Sequence, residues 1–176
     1  MKKSIPFILI MVSMVVAFTL TFEGPKGTPE PWISVKVGDQ EVKPIYYGDR
    51  YNKSREDIER YLVKPFEDGG WESLPYVKLG DEVVVRFKNF EAANVTVTED
   101  LLRQDGTFLY GENSTVIHEV EVENDNVFFD LPCNWAVHLS SNSENYRPGH
   151  VIRAFVVRAE INKSDFAFAF VIRTNP

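Results

Sequence analysis

The stretch EVVVRFKNF, Glu82 to Phe90, sorts its side chains into two sets: Val83, Val85 and Phe87 on one side, Val84, Arg86 and Lys88 on the other. A period of two belongs to extended chain, and one apolar side backed by a mixed one describes a strand of a half-buried sheet. The same pattern continues outward in both directions. Upstream, WISVKV sets Ile33, Val35 and Val37 on one face before Gly38-Asp39 turns the chain towards EVKPIYY. Downstream follow NVTVTE, TVIHEVEVE, VFFDLP, WAVHLSS, VIRAFVVRA and DFAFAFVIRT, with Asp105-Gly106 and Pro148-Gly149 as turn signals. About nine strands with no helices alternating between them predict a mainly β fold, an antiparallel β-sandwich rather than a parallel sheet.

Two segments break the alternation. In DFAFAFVIRT, Phe166, Phe168 and Phe170 share one face while Ala167, Ala169 and Val171 make the other face apolar too. A strand apolar on both sides is central and covered, or meets a partner. Small alanines leave room for a helix, so a cover by the chain's own helix is the favoured reading. That helix is predicted in SREDIERYLVKPF, over about Arg55 to Val63: Ser54 caps it with Asp57 three residues on, Ile58, Tyr61 and Leu62 have helical spacing, and Pro65 ends the run. It lies in an insertion, Gly48 to Leu74, set into the sandwich of residues 32–176.

The N-terminus gives an address. After Lys2 and Lys3, the 19 residues from Ser4 to Phe22 carry no charge. As a helix they reach roughly 28 Å, close to a bilayer's hydrocarbon thickness. Val15-Val16-Ala17 also fits a signal-peptidase site with cleavage after Ala17. Residues 1–22 are therefore an uncleaved membrane anchor or a signal peptide, the anchor favoured because the run stays apolar beyond Ala17. On either reading the lysines stay cytoplasmic and the remainder is exported, either held on the membrane or secreted. EGPKGTPEP, residues 23–31, is a Pro and Gly rich spacer. The chain has 19 Lys and Arg against 26 Asp and Glu, a net charge of −7, which argues against nucleic acid as a partner. A single cysteine, Cys133, leaves stability to packing.

From Pro75 to Pro176, the turn before VVVRF, Leu131-Pro132, Pro148-Gly149 leading into VIRAFVV, and the closing FAFAFVI together resemble the immunoglobulin-like domains of exported proteins and lipoproteins of Bacillus-type bacteria. The chain lacks the lipoprotein cysteine and the cysteine pair that many of those domains carry. The resemblance implies an immunoglobulin-like sandwich in a Gram-positive cell envelope, and no catalytic residue.

Chemistry-bearing patterns are sparse. Cys133 and His138, five residues apart, form the only conceivable nucleophile and base pair, and a lone cysteine there reads more simply as a small buried hydrophobe. No Gly-x-Ser-x-Gly or Ser-x-x-Lys supports a serine hydrolase. His118, His138 and His150 lack zinc-site spacing, and His118 shares a face with Val116, Val120 and Val122, as a hydrogen-bonded core histidine would. Glu119, Glu121 and Glu123, with Asp125, line up as a hard cation such as calcium would require, but ENDN lacks the tighter Asp/Asn and Gly pattern of a calcium loop, and a solvated acidic face is the favoured reading. Trp32 and Trp135 fall in predicted strands and are expected in the core.

The densest signal is aromatic. Tyr46, Tyr47, Tyr51, Tyr61 and Trp71 fall in and beside the insertion, where flat rings with polar tips either anchor a ligand or dock the helix on the sandwich. The sequence thus predicts an extracytoplasmic cell-envelope module that binds or builds and does not catalyse. It needs no cofactor or metal, its partner is an envelope protein or polysaccharide, and the five aromatic residues are its contact candidates. A calcium-stabilised adhesion domain and a thiol enzyme on Cys133 and His138 are the alternatives.

Overall fold

The alternation read from residues 82–90 becomes the middle of a five-stranded sheet. The structure, a computed structural model, describes residues 32–48, 54–67, 69–88, 90–161 and 163–176. Strand β1 (Trp32–Val37) turns at Gly38, φ +54°, into β2 (Gln40–Val42), and β3 (Ile45–Gly48) follows. After helices α1 (Arg55–Leu62) and α2 (Lys64–Glu67) come β4 (Glu82–Lys88), β5 (Ala93–Leu102), β6 (Val116–His118), β7 (Glu121–Glu123), β8 (Asn126–Asp130), β9 (Val151–Ile161) and β10 (Ser164–Thr174). The first sheet has the order β2-β1-β4-β8-β7 and the second β3-β10-β9-β5-β6, with every strand pair antiparallel.

The period of two decides what meets between the sheets. Ile33, Val35 and Val37 of β1, Val83, Val85 and Phe87 of β4, and Val127 and Phe129 of β8 bury themselves against Val97, Phe155, Val157, Phe168, Phe170 and Ile172 of the second sheet. The Phe155 and Phe170 rings stack at 4.8 Å with planes 6° apart. At roughly 1.5–3 kcal/mol for each large apolar side chain removed from water, this layer is the main stabilising element.

The far side of the second sheet is apolar as well, because α1 and α2 lie on it. Ile152, Ala154, Val156, Ala167, Ala169 and Val171 pack with Leu62, Phe66 and Leu74, and Ala169 and Leu62 are fully buried. The cover expected for DFAFAFVIRT is thus supplied by the insertion, and β10 lies between β3 and β9. Polar contacts fix the helix there. Arg55 donates to Asp100 Oδ1 (3.0 Å) and to the Tyr110 carbonyl (2.9 Å) with its guanidinium 3.7 Å from the Phe108 ring centroid, and Glu59 accepts from the Phe108 N–H. The loop after β5 reaches this junction through Gly106, φ +86°, whose missing Cβ would stand 2.9 Å from the Val63 Cα.

Helix α1 begins as predicted, with Ser54 Oγ accepting from the Asp57 N–H at 3.2 Å, and closes at Val63. Pro65 does not end the helical run. A second turn, α2, starts at Lys64 and holds Pro65 where no N–H partner is needed. Three further expectations need correcting. TVIHEVEVE is not one strand: β6 pairs with β5 in the second sheet and β7 with β8 in the first, so the chain changes sheet between them. WAVHLSS is not a strand either. Its Trp135–Leu139 is a 3₁₀ helix, begun where Asn134 Oδ1 accepts the Ala136 N–H at 2.8 Å, and it turns Ala136 and Val137 inward against Leu101 and Val151. Trp135 in consequence is 53% exposed, and Trp32, on the side of β1 opposite Ile33 and Val35, is 42% exposed, so neither is core.

Candidate functional site

Three places carry chemistry, and the most conspicuous lies inside the sandwich. Glu99 and Arg153 point inward from β5 and β9, in line with Val97 and Phe155, and both are buried. Arg153 grips the carboxylate in a two-pronged pair, Nε to Oε1 at 2.7 Å and Nη2 to Oε2 at 2.8 Å. Asn134 Nδ2 donates to Oε1 at 2.6 Å and the His118 Nε2–H to Oε2 at 2.8 Å. Burial alone would raise the Glu99 pKa. The hydrogen bonds from His118, Arg153 and Asn134, with the guanidinium charge, outweigh it and hold the carboxyl at about 2. His118 is also packed on Phe129, ring centroids 4.8 Å apart, which makes it the hydrogen-bonded core histidine expected from its strand position. A carboxylate with four donors and no solvent contact is committed to its neighbours and offers nothing to a substrate.

The sequence candidates are dispersed. Tyr46 and Tyr47 fall on β3, with Tyr46 in register with Phe168, and Tyr51 lies outside the described residues. Tyr61 and Trp71 are half-buried against the helix-covered cluster, with the Trp71 ring 4.7 Å from that of His150. For these two, docking of the insertion is the role their contacts display. Cys133 is exposed and not the buried hydrophobe expected, since it precedes the 3₁₀ helix in a surface loop. His138 is exposed too, and among the described residues no hydrogen bond joins it to Cys133. Glu119, Glu121 and Glu123 are exposed, and among the described residues no group of three or more His, Cys, Asp or Glu is placed to hold a metal.

The third place was not anticipated. It is the outer face of the first sheet, where the mixed sides of β1 and β4 come together. Trp32 stands opposite Lys88, Ser34 opposite Arg86, and Lys36 opposite Val84, while Val84 is paired in turn with Phe128 of β8. With Lys43 they line an open groove of about 710 Å³. Among the described residues Lys43, Arg86 and Lys88 form no ion pair, whereas Lys36 lies 4.0 Å from Asp39 and opposite Glu41. The off-side residues of WISVKV and EVVVRFK were each legible in their own strands. Their meeting depends on a pairing between strands far apart in the chain.

No family model matches the chain, and no curated protein or solved structure matches it. Among the described residues no helix is long and apolar enough to cross a membrane; the uncharged segment from Ser4 to Phe22 lies outside them.

Proposed function

We propose that the chain is an exported, non-catalytic immunoglobulin-like module of a Gram-positive cell envelope that binds a ligand on one face of its sandwich. The observation that carries this reading is the asymmetry of the two outer faces. The second sheet is closed by its helices, while the first presents an exposed tryptophan and cations that form no ion pair among the described residues, on a five-stranded platform. Rigid scaffolds with one open, chemically mixed face suit recognition. The buried Glu99 carboxylate is taken up by Arg153, Asn134 and His118, which favours a binding role over a reaction at that cluster.

Strand order supports the immunoglobulin-like assignment. The runs β1-β4-β8-β7 and β10-β9-β5-β6 correspond to the A-B-E-D and G-F-C-C′ sheets of such domains. The segment at Tyr76 adds a parallel bridge to Arg173 of β10, as an extra strand beside the last one would. Export rests on the lysine pair and the uncharged run of residues 4–22.

Intact mass combined with fractionation of the native host tests the reading. The expected result is a chain starting at Met1 in the membrane fraction or at Phe18 in the medium. A chain starting at Met1 and soluble in the cytoplasm would overturn it.

A further inference from the structure

We infer that the open face of the first sheet binds an acidic polysaccharide built of uronate sugars, with Trp32 stacked on a sugar ring and Arg86, Lys88 and Lys43 facing its carboxylates. The inference rests on the binding-module reading above and names the ligand class. Trp32 and Lys88 are direct partners on hydrogen-bonded strands, so ring and ammonium rise side by side, roughly 5 Å apart at their Cβ atoms. Arg86 stands two residues along β4, roughly 7 Å from Lys88. Asn126 Oδ1 accepts from Arg86 Nε at 2.9 Å, which fixes the guanidinium while leaving its outer nitrogens unbonded among the described residues.

Each component narrows the ligand. An exposed indole favours a flat apolar face, which a pyranose ring provides. Cations without an ion pair among the described residues, in a chain of net charge −7, favour an anion, and a guanidinium fork matches a planar carboxylate in two-pronged fashion. Phosphate on a flexible polyol would satisfy the cations and leave Trp32 without a partner. Nucleic acid packs its charges about 1.7 Å apart along the duplex axis, and its phosphates would be driven onto Glu41 and Glu121, which border the strip at either edge of the sheet. A polymer with one charge per ring sets fewer charges against these residues and against Glu82, Glu123 and Asp130 on the same face.

The test is calorimetric titration of the full-length chain, held in a non-ionic detergent, with a galacturonate hexamer. Binding is expected, and the fully methyl-esterified hexamer should bind about tenfold more weakly, as should W32A and the R86Q/K88Q pair towards the acid form. All three replaced side chains are exposed, so urea midpoints matching the parent will show that the variants are folded. Failure of the hexamer to bind, or unchanged affinity in W32A, would overturn the inference. So would equal affinity for poly(glycerol phosphate) or oligo(dT), which would mark a response to charge alone. A salt-sensitive dimer of the parent that R86Q/K88Q abolishes would assign the face to a second copy instead. Loss of uronate binding by a chain that is still exported rejects the ligand and spares the module, whereas cytoplasmic retention rejects the module whatever the titration gives.

Discussion

The two sheets share one core and turn different backs to their surroundings. Behind the second sheet, Ala167, Ala169 and Val171 meet Leu62, Phe66 and Leu74, and the outward row of β10 is as buried as its inward row. Behind the first sheet, Trp32, Arg86, Lys88 and Phe128 stand around an open groove. The difference shows how one strand period serves two purposes. Strict alternation leaves a back open to solvent, and doubling the apolar rows commits it to a second layer. The helices of the insertion therefore act first as structure, and the aromatic residues at Tyr61 and Trp71 serve the covered back.

The contrast can be broken by substitution. The largest effect is expected inside the sandwich, where Arg153→Ala leaves Glu99 buried without its fork and should cost about 4 kcal/mol, read as a lower urea midpoint. On the covered back, Leu62→Ala opens a cavity under α1 and should cost about 3 kcal/mol in the same assay. Acid tests the interior by another route. The Glu99 carboxyl is held at about 2 against an ordinary 4.5, so the unfolded chain takes up its proton first as pH falls. The stabilisation, about 3 kcal/mol, is complete above pH 4.5 and lost on the way down to about 2, and Glu99→Gln should flatten that part of the stability curve measured by thermal melts. A matched pair then compares the backs directly. Ala169→Leu overfills the helix contact and should cost about 2 kcal/mol, whereas Ser34→Leu on the open face should stay within about 0.5 kcal/mol. Equal costs at the two positions would mean that the open back is covered as well.

Local rules carried much of this architecture. The inward rows of β1 and β4, the Ser54 cap, the Asp105-Gly106 and Pro148-Gly149 turns and the need to cover β10 all follow from neighbours within a few residues. The segments that depart from the strand pattern are those in which a side-chain cap or the pairing of distant strands overrules periodicity. Asn134 starts a 3₁₀ helix in a stretch whose apolar residues alternate like a strand, and a change of sheet divides TVIHEVEVE. The interior cluster joins residues 19 to 54 positions apart, beyond the reach of any local pattern. A signal existed nonetheless: Glu99 shares parity with Val97 and Leu101, and Arg153 with Phe155 and Val157, so two opposite charges occupy inward positions and require each other. The open face was half legible, since each strand displayed its outward row and only the pairing of the rows was missing.

The position of β10 has a kinetic consequence. It follows every other described strand, it is laid between β3 and β9, and its two rows enter both the inter-sheet core and the helix-covered cluster. A chain delivered N-terminus first can assemble neither layer fully until β10 is free. The β9–β10 hairpin, eleven residues in each arm, is the longest local pairing available to start the process. Every other strand in the second sheet must find its place on that hairpin by closing longer loops. Removal of β10 would therefore leave the inter-sheet core and the helix-covered cluster open at once.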